Sequence, residues 1–245
     1  MQQVSSSSTV SPVPDSQTPR GLAAIFDEYA WFRALSAEHR DWVLTSARAE
    51  LFEGGAWVAR RQAPSEYWIG VHEGLLKLAI YNESGRGCTF SGVPPGGWVG
   101  EGSVLKRELR KYDVVTLQPS LVLLVPCATF HALLDASLPF THFVIHQLNE
   151  RMGEFIASIQ NHRLLDADAR VAQSLAQLFN PDLYPNAGLT LTLSQEELGF
   201  LTGLSRQRVN QALQTLAEAA LLRVSYNQIH VLDLDALRQV GLDAL

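Results

Sequence analysis

Apolar residues recur along this chain with several distinct periods, and the changes of period divide it into segments. From Leu22 to about Thr45 the spacing is helical, with Ile25, Trp31, Phe32, Leu35, Trp42 and Val43 as contacts. Between Ala49 and Pro126, short β-type runs alternate with Gly and Pro turns: Tyr67 to Val71, Leu75 to Tyr81, Cys88 to Val93, Val114 to Leu117 and Leu121 to Val125. That rhythm predicts a small antiparallel barrel or roll. One long helix follows, from about Ser137 to Arg163, ~40 Å at 1.5 Å per residue. Arg163 to Asp168 reads as a hinge, and Ala169 to Phe179 (Val171, Leu175, Leu178) as a helix that packs on whatever comes after it.

The stretch from Ser194 to Leu232 is the most specific. Ser194 is a good N-cap, and Glu197 three residues on completes a capping box. Leu198 and Leu201 form an apolar stripe, Gly203 ends the helix where a turn needs positive φ, and Ser205 caps a second helix with Val209, Leu213 and Leu216 on its apolar side. Leu221 to Ser225 and Gln228 to Leu232 then alternate around Tyr226-Asn227, which predicts a hairpin. Caps and Gly turns are each ordinary in any helical pair. Their conjunction with a polar opening, Ser205-Arg206-Gln207-Arg208, and a following hairpin predicts a winged helix-turn-helix, an architecture that usually binds DNA.

With Ser205 as cap, Arg206, Gln207, Asn210 and Gln211 lie on the first turns of one face. Arg206 suits guanine O6/N7, and the three amides suit adenine N6/N7. Arg208 is turned away from that face and reads as a phosphate contact, whose loss should lower the salt slope by about one unit. On the long helix, Ile145, Leu148, Met152, Phe155, Ile159 and His162 recur at steps of 3, 4, 3, 4, 3. That is a heptad seam. It fits either a helix lying on its own domain or a two-fold dimer; the dimer is preferred, because one helix-turn-helix reads only half a site.

These residues resemble the Crp/Fnr family of bacterial transcription regulators. The likeness is carried by Ser194-Gln195-Glu196-Glu197-Leu198, Gly203-Leu204-Ser205-Arg206, the Leu213/Leu216 pair, Leu221-Leu222 and, upstream, Gly96-Gly97-Trp98-Val99-Gly100-Glu101. It spans about residues 22 to 240. It implies an α+β chain: an N-terminal antiparallel β-roll of the cyclic-nucleotide-binding type at 21–136, a dimerisation helix and hinge at 137–165, and a winged helix-turn-helix at 166–245; ahead of these, the Ser5 to Ser8 run and three prolines suggest a disordered tail at 1–20. Double-stranded DNA carrying an inverted repeat, a second copy of the chain and RNA polymerase are the implied partners.

In nucleotide-binding members of the family a Gly-Glu pair holds the ribose hydroxyl, and an Arg and a small residue about ten positions later clasp the phosphate. Here Gly100-Glu101 is followed by Gly102-Ser103; Arg110 and Lys111 stand nine and ten residues beyond Glu101, with Tyr112 where a small residue is expected. Lys106, Arg107, Arg110 and Lys111 suggest a basic cluster. Four readings stay open: an anionic nucleotide other than cyclic AMP, such as a dinucleotide with two phosphates; cyclic AMP or cyclic GMP; an unliganded roll; and other ligands, including haem ligated among His72, Cys88, Cys127 and His131. An iron–sulfur cluster needs four cysteines, and this chain has 2.

Composition narrows the rest. Hydrophobic content is 47% with 18% charged residues, and no apolar run approaches the ~20 residues of a membrane span. Residues 1–20 lack the basic and apolar regions of a signal peptide, so the expected location is the cytoplasm. The net charge is -6, and from Asp166 onward five Arg face nine acids, a net of −4. Such a surface attracts DNA weakly in general, which argues for sequence-specific reading rather than coating. The expectation is no enzyme: nucleophile elbow, P-loop, His-Glu-x-x-His and dinucleotide fingerprint are all missing. The other class to weigh is a ligand-sensing module that docks a protein instead of DNA.

Overall fold

The computed structural model describes residues 19–81 and 87–242. Of the expected N-terminal tail, residues 1–18 lie outside this range, while Pro19 already begins a helix. The first helical stretch is three short helices rather than one: α1 (Pro19–Phe26), α2 (Ala30–Arg33) and α3 (Ala37–Ser46). Ser36 starts the third by accepting from the His39 amide. Breaking the helix lets Phe26, Trp31 and Phe32 turn inward together against Trp68, Trp98 and Phe140, an aromatic cluster that glues these helices to the roll.

The roll consists of β1 (Arg48–Phe52), β2 (Trp57–Ala59), β3 (Tyr67–Glu73), β4 (Leu76–Tyr81), β5 (Gly87–Val93), β6 (Trp98–Val99), β7 (Asp113–Thr116) and β8 (Ser120–Pro126), with α4 (Glu101–Lys106) between β6 and β7. Two four-stranded antiparallel sheets, ordered β1-β8-β3-β6 and β2-β7-β4-β5, face one another. Ile69, Val71, Leu76, Leu78, Val114 and Val122 fill the space between them. All five strands legible in the sequence are present. Those not legible, β1, β2 and β6, are short or alternate poorly: Arg48 and Glu50 interrupt β1, and β6 has two residues.

After β8 come α5 (Cys127–Ala136) and the long α6 (Leu138–Leu164), with Ser137 as N-cap accepting from the Phe140 amide. The long helix presents two faces. One carries Phe140, Val144, Gln147, Arg151 and Asn161 inward, and the other leaves Ile145, Met152, Phe155, Ile156 and Ile159 exposed. Leu148, placed on the seam by spacing, is half-buried against its own aromatic core, and Ile156 joins the exposed face instead.

The C-terminal part comprises α7 (Ala167–Gln177), β9 (Thr190–Thr192), α8 (Gln195–Thr202), α9 (Arg206–Glu218), β10 (Leu222–Ser225), β11 (Gln228–Val231) and α10 (Leu234–Gln239). Its sheet runs β10-β11-β9, and its core gathers Val171, Leu175, Leu198, Val209, Leu213 and Leu237. The two halves are not merely tethered. Leu75 of the roll joins the C-terminal core, while Leu183 and Tyr184, from the connection before β9, enter the core of the roll. The whole is an α+β chain of roll, long helix and winged helix-turn-helix.

Candidate DNA-reading face and sensory site

In the C-terminal part, local chemistry sets the geometry. The Ser194 hydroxyl accepts from the Glu197 amide at 3.1 Å and starts α8. The reciprocal half of the expected capping box is replaced. Both carboxylate oxygens of Glu197 accept from Lys77 Nζ at 2.7 Å, and Lys77 sits buried on β4 with the Phe200 and Tyr81 rings nearby. An ammonium buried there must keep its counter-charge, so this pair fastens α8 to the roll. Gly203 has φ 67 and ψ 27, the left-handed conformation that the turn needs. Gly199 answers a different need, since a Cβ there would stand 2.8 Å from the Leu204 carbonyl.

Ser205 accepts from the Arg208 amide and caps α9, which buries Val209, Ala212, Leu213 and Leu216. Ser205, Arg206, Gln207 and Gln211 are exposed side by side on its first turns. Two of the sequence-assigned readers are already engaged. Asn210 is half-buried, its Oδ1 accepting from Gln195 Nε2 at 3.0 Å. Arg208 pairs with Asp168 of α7 at 2.6 Å. Beside Arg206, a groove of about 360 Å³ runs between the start of α8 and the wing, whose tip residue Tyr226 is 93% exposed.

In the roll, Gly100 (φ 89) precedes α4 and turns Glu101 inward. The structure gathers only Lys106 and Lys111 of the expected basic cluster and turns Arg110 away from them. Arg110 is buried, donating from Nη2 to the Tyr67 carbonyl, and burial pulls its guanidinium below the usual range. Lys106 and Lys111 point to solvent and share Glu108, and Arg107, also exposed, takes the left-handed C-cap position of α4. The isolated bridge between Pro64 and Leu109 holds this segment so that Arg110 alone turns inward. Ser103 is buried within α4, and Gly102 borders open space. Tyr112 is half-buried; desolvation, then the Glu101 carboxylate, pushes its phenol up to about 12.

The space between roll and long helix is taken by a residue not singled out in the sequence. Arg151 of α6, 5% exposed, donates to Glu101 Oε1 (3.3 Å), to the Trp98 carbonyl (2.8 Å) and to the Tyr184 hydroxyl (3.2 Å). The Tyr184 hydroxyl in turn donates to Glu154 Oε2 at 3.2 Å. Burial drives the Glu154 carboxyl up to about 7, against the lowering pull of Arg151 and of hydrogen bonds from Tyr184 and Asn180. Around this site, among the described residues, three buried atoms keep no hydrogen-bond partner: Glu101 Oε2, Arg110 Nη1 and Glu154 Oε1. A signal for Arg151 does exist in the chain, because Val144, Gln147, Arg151 and Glu154 step by 3, 4 and 3 along the helix, a second stripe beside the seam. Of the haem candidates, Cys88 is exposed, while Cys127 and His131 both approach the Val104 carbonyl. Among the described residues no group of three or more His, Cys, Asp or Glu is arranged to hold a metal ion.

Comparison with known proteins matches both halves. Residues 169–240 match the model of the Crp-like helix-turn-helix domain, and residues 49–137 that of the cyclic nucleotide-binding domain. The transcriptional regulator LdrP of Thermus thermophilus is 28% identical over 178 residues, covering 71% of this chain and 87% of that protein. The cyclic AMP receptor protein of the same organism is 23% identical over 210 residues, covering 86% and 95%. The cAMP-activated global transcriptional regulator CRP of Pasteurella multocida is 20% identical over 185 residues, covering 74% and 88%. Among solved structures, FixK2 of Bradyrhizobium japonicum superposes with TM-score 0.66 at 16% identity, covering 79% of this chain and 96% of the other. The c-di-GMP responsive regulator CLP of Xanthomonas campestris gives 0.60 at 20%, covering 80% and 99%.

The Glu154 carboxyl, whose ordinary value is 4.5, has a testable effect on stability. Folding favours its protonated form, so the stabilisation is complete below about pH 4.5 and is lost as the pH rises to about 7. Urea midpoints of the wild type should fall across that window, and Glu154→Gln should flatten the fall. Parallel curves for the two proteins would disprove the assignment.

Proposed function

This chain belongs to the Crp/Fnr family and is a DNA-binding transcription regulator, and from that premise we propose that it reads an inverted repeat as a two-fold dimer. The exposed row Ser205, Arg206, Gln207 and Gln211 carries this reading. It stands at the N-terminal end of a capped helix, where a recognition helix meets base edges in the major groove. In this proposal Arg206 takes guanine O6/N7, and Gln207 and Gln211 take adenines. Asn210 reads in an orientation set by Gln195, and Arg208 leaves Asp168 for a phosphate. Family regulators of best-known type carry Glu and Arg where Gln207 and Gln211 stand, so the half-site should differ from theirs while the docking does not.

The dimer proposal rests on the outer face of α6. Ile145, Met152, Ile156 and Ile159 are 57–59% exposed and Phe155 is 40% exposed, a continuous apolar stripe of the kind that marks an association surface. Pairing two such helices should set two reading helices ~34 Å apart, one turn of DNA. RNA polymerase as the downstream partner and a cytoplasmic location complete the proposal. A module that docks protein instead of DNA is not favoured by the matched helix-turn-helix domain.

For the roll we propose a cyclic mono- or dinucleotide as effector. The unpartnered Glu101 Oε2 and Arg110 Nη1 offer an acceptor for a ribose hydroxyl and a donor for a phosphate. Arg151 and Tyr184 occupy the adjoining space, so such a ligand would have to displace the Tyr184 hydroxyl from Arg151, loosening the C-terminal half from the roll.

Selection of bound sequences from a random pool should return an inverted repeat. Arg206→Ala should cost ~1–3 kcal/mol and relax the preference at one guanine per half-site, whereas Arg208→Ala should weaken all sequences alike. A non-palindromic consensus, or one indifferent to Arg206→Ala, would overturn the reading. Met152→Glu combined with Ile159→Glu should yield monomers by light scattering; an intact dimer would relocate the interface. In a thermal-shift screen with cyclic AMP, cyclic GMP and cyclic di-GMP, a ligand at 100-fold excess over its Kd should add roughly 2.7 kcal/mol. Arg110→Met should abolish the shift and Lys111→Ala should leave it. Equal effects of the two variants would remove Arg110 from the site.

A further inference from the structure

The hydrogen bond between Gln195 and Asn210 decides which edge of a base the Asn210 amide can meet. Ser194 caps α8, so Gln195 is the first residue of that helix, and its side chain reaches across to α9. There Nε2 donates to Asn210 Oδ1 at 3.0 Å. Asn210 stands one turn beyond Arg206 on the same face of the reading helix. Gln195 and Arg206 both line the groove beside the wing, and Gln195 and Asn210 are each half-buried. The contact therefore sits within the reading surface, not behind it.

An asparagine amide offers one carbonyl oxygen and two N–H donors. Pairing with adenine uses both kinds at once, the oxygen accepting from N6 and the nitrogen donating to N7. Here the oxygen is committed to the first helix, which leaves Nδ2 as the free end of the amide. A group that only donates is best matched by two adjacent acceptors. Within one base of the major groove, guanine alone presents such a pair, O6 and N7, whereas adenine sets an amino group beside its N7. Gln207 and Gln211 are exposed and keep both kinds of group available, so they retain the chemistry of adenine readers. Asn210 departs from it.

We propose that Gln195 is a positioning residue for base recognition, holding Asn210 so that it reads guanine instead of adenine. This deepens the operator reading above and rests on it, assigning a second guanine per half-site to Asn210 beside that of Arg206. It also brings the first helix of the pair into sequence discrimination. That helix acts through the amide of the second, without a base contact of its own.

The test is selection from a random pool with full-chain variants, followed by competition between operators that differ at one base pair. Asn210→Ala should flatten one position of each half-site, distinct from that of Arg206. At that position the wild type should prefer guanine over adenine by about five- to tenfold. Gln195→Met keeps the length of the side chain but has no donor, so Asn210 Oδ1 is freed and the preference should move to adenine. Gln195→Glu should give the same result by another route, because a carboxylate only accepts and so turns the Asn210 amide over. An acid also suits the first turn of a helix, which secures the fold of this variant. Both substitutions should leave the Arg206-dependent guanine in place, a readout that loss of fold would erase. Adenine preferred by the wild type at the Asn210 position, no position flattened by Asn210→Ala, or a guanine preference retained in either Gln195 variant would each overturn the proposal. So would a weakening of all sequences alike with that preference unchanged, which would mark Gln195 as a phosphate contact. Failure of the operator reading would look different: no inverted repeat, or a consensus indifferent to Arg206→Ala.

Discussion

A guanidinium cannot be left alone in a protein interior, and that constraint organises this molecule. Arg151 carries a permanent charge on the inward face of α6, so the chain must bring acceptors to it. They come from both parts of the fold: Glu101 and the Trp98 carbonyl from the roll, and Tyr184 from the approach to the reading domain, with the Glu154 carboxyl of the same helix 3.8 Å away. Removing the Glu101 carboxylate would strand charge in a poorly solvated site, a far larger penalty than losing an exposed ion pair. The relative placement of sensory and reading halves is thus written into the coordination of one side chain.

The Lys77–Glu197 pair works in the same sense from the other end of the interface. It draws Glu197 away from closing its own capping box and commits it to a strand 120 residues away in sequence. The first helix of the helix-turn-helix is therefore held by long-range electrostatics on one side and by local capping on the other. An event that weakened the long-range half would leave the helix intact, since the Ser194 cap and the apolar contacts of Leu198 remain. Movement of the reading domain as a rigid piece is what such a division of labour permits.

How far the sequence discloses all this depends on the range of the forces involved. Caps, the Gly203 turn and the hairpin around Asn227 are local events, and their residues state them directly. Strands β3, β4, β5, β7 and β8 are legible because burial on one or both faces enforces an apolar pattern. β1 and β2, whose outer residues meet solvent, and the brief β6 leave no such pattern. Burial of Arg110, apart from Lys106 and Lys111, depends on backbone pairing around Leu109, which spacing cannot convey. Arg151, Glu154 and Tyr184 meet through tertiary packing of two segments, so the chain shows at most a polar stripe beside the seam.

The Arg208–Asp168 contact has a consequence for how ionic strength would act on the complex. A cation that leaves an intramolecular carboxylate for a phosphate exchanges one anion for another. The counterion freed from the DNA is offset by one gathered around the bared Asp168, so this arginine would contribute little to the salt dependence of binding, in place of the change of about one unit expected from the sequence alone. Affinity then rests more on directional contacts of neutral amides than on ion release. A regulator built in this way would keep its grip as ionic strength changes, and would owe its discrimination to the same few side chains that supply its strength.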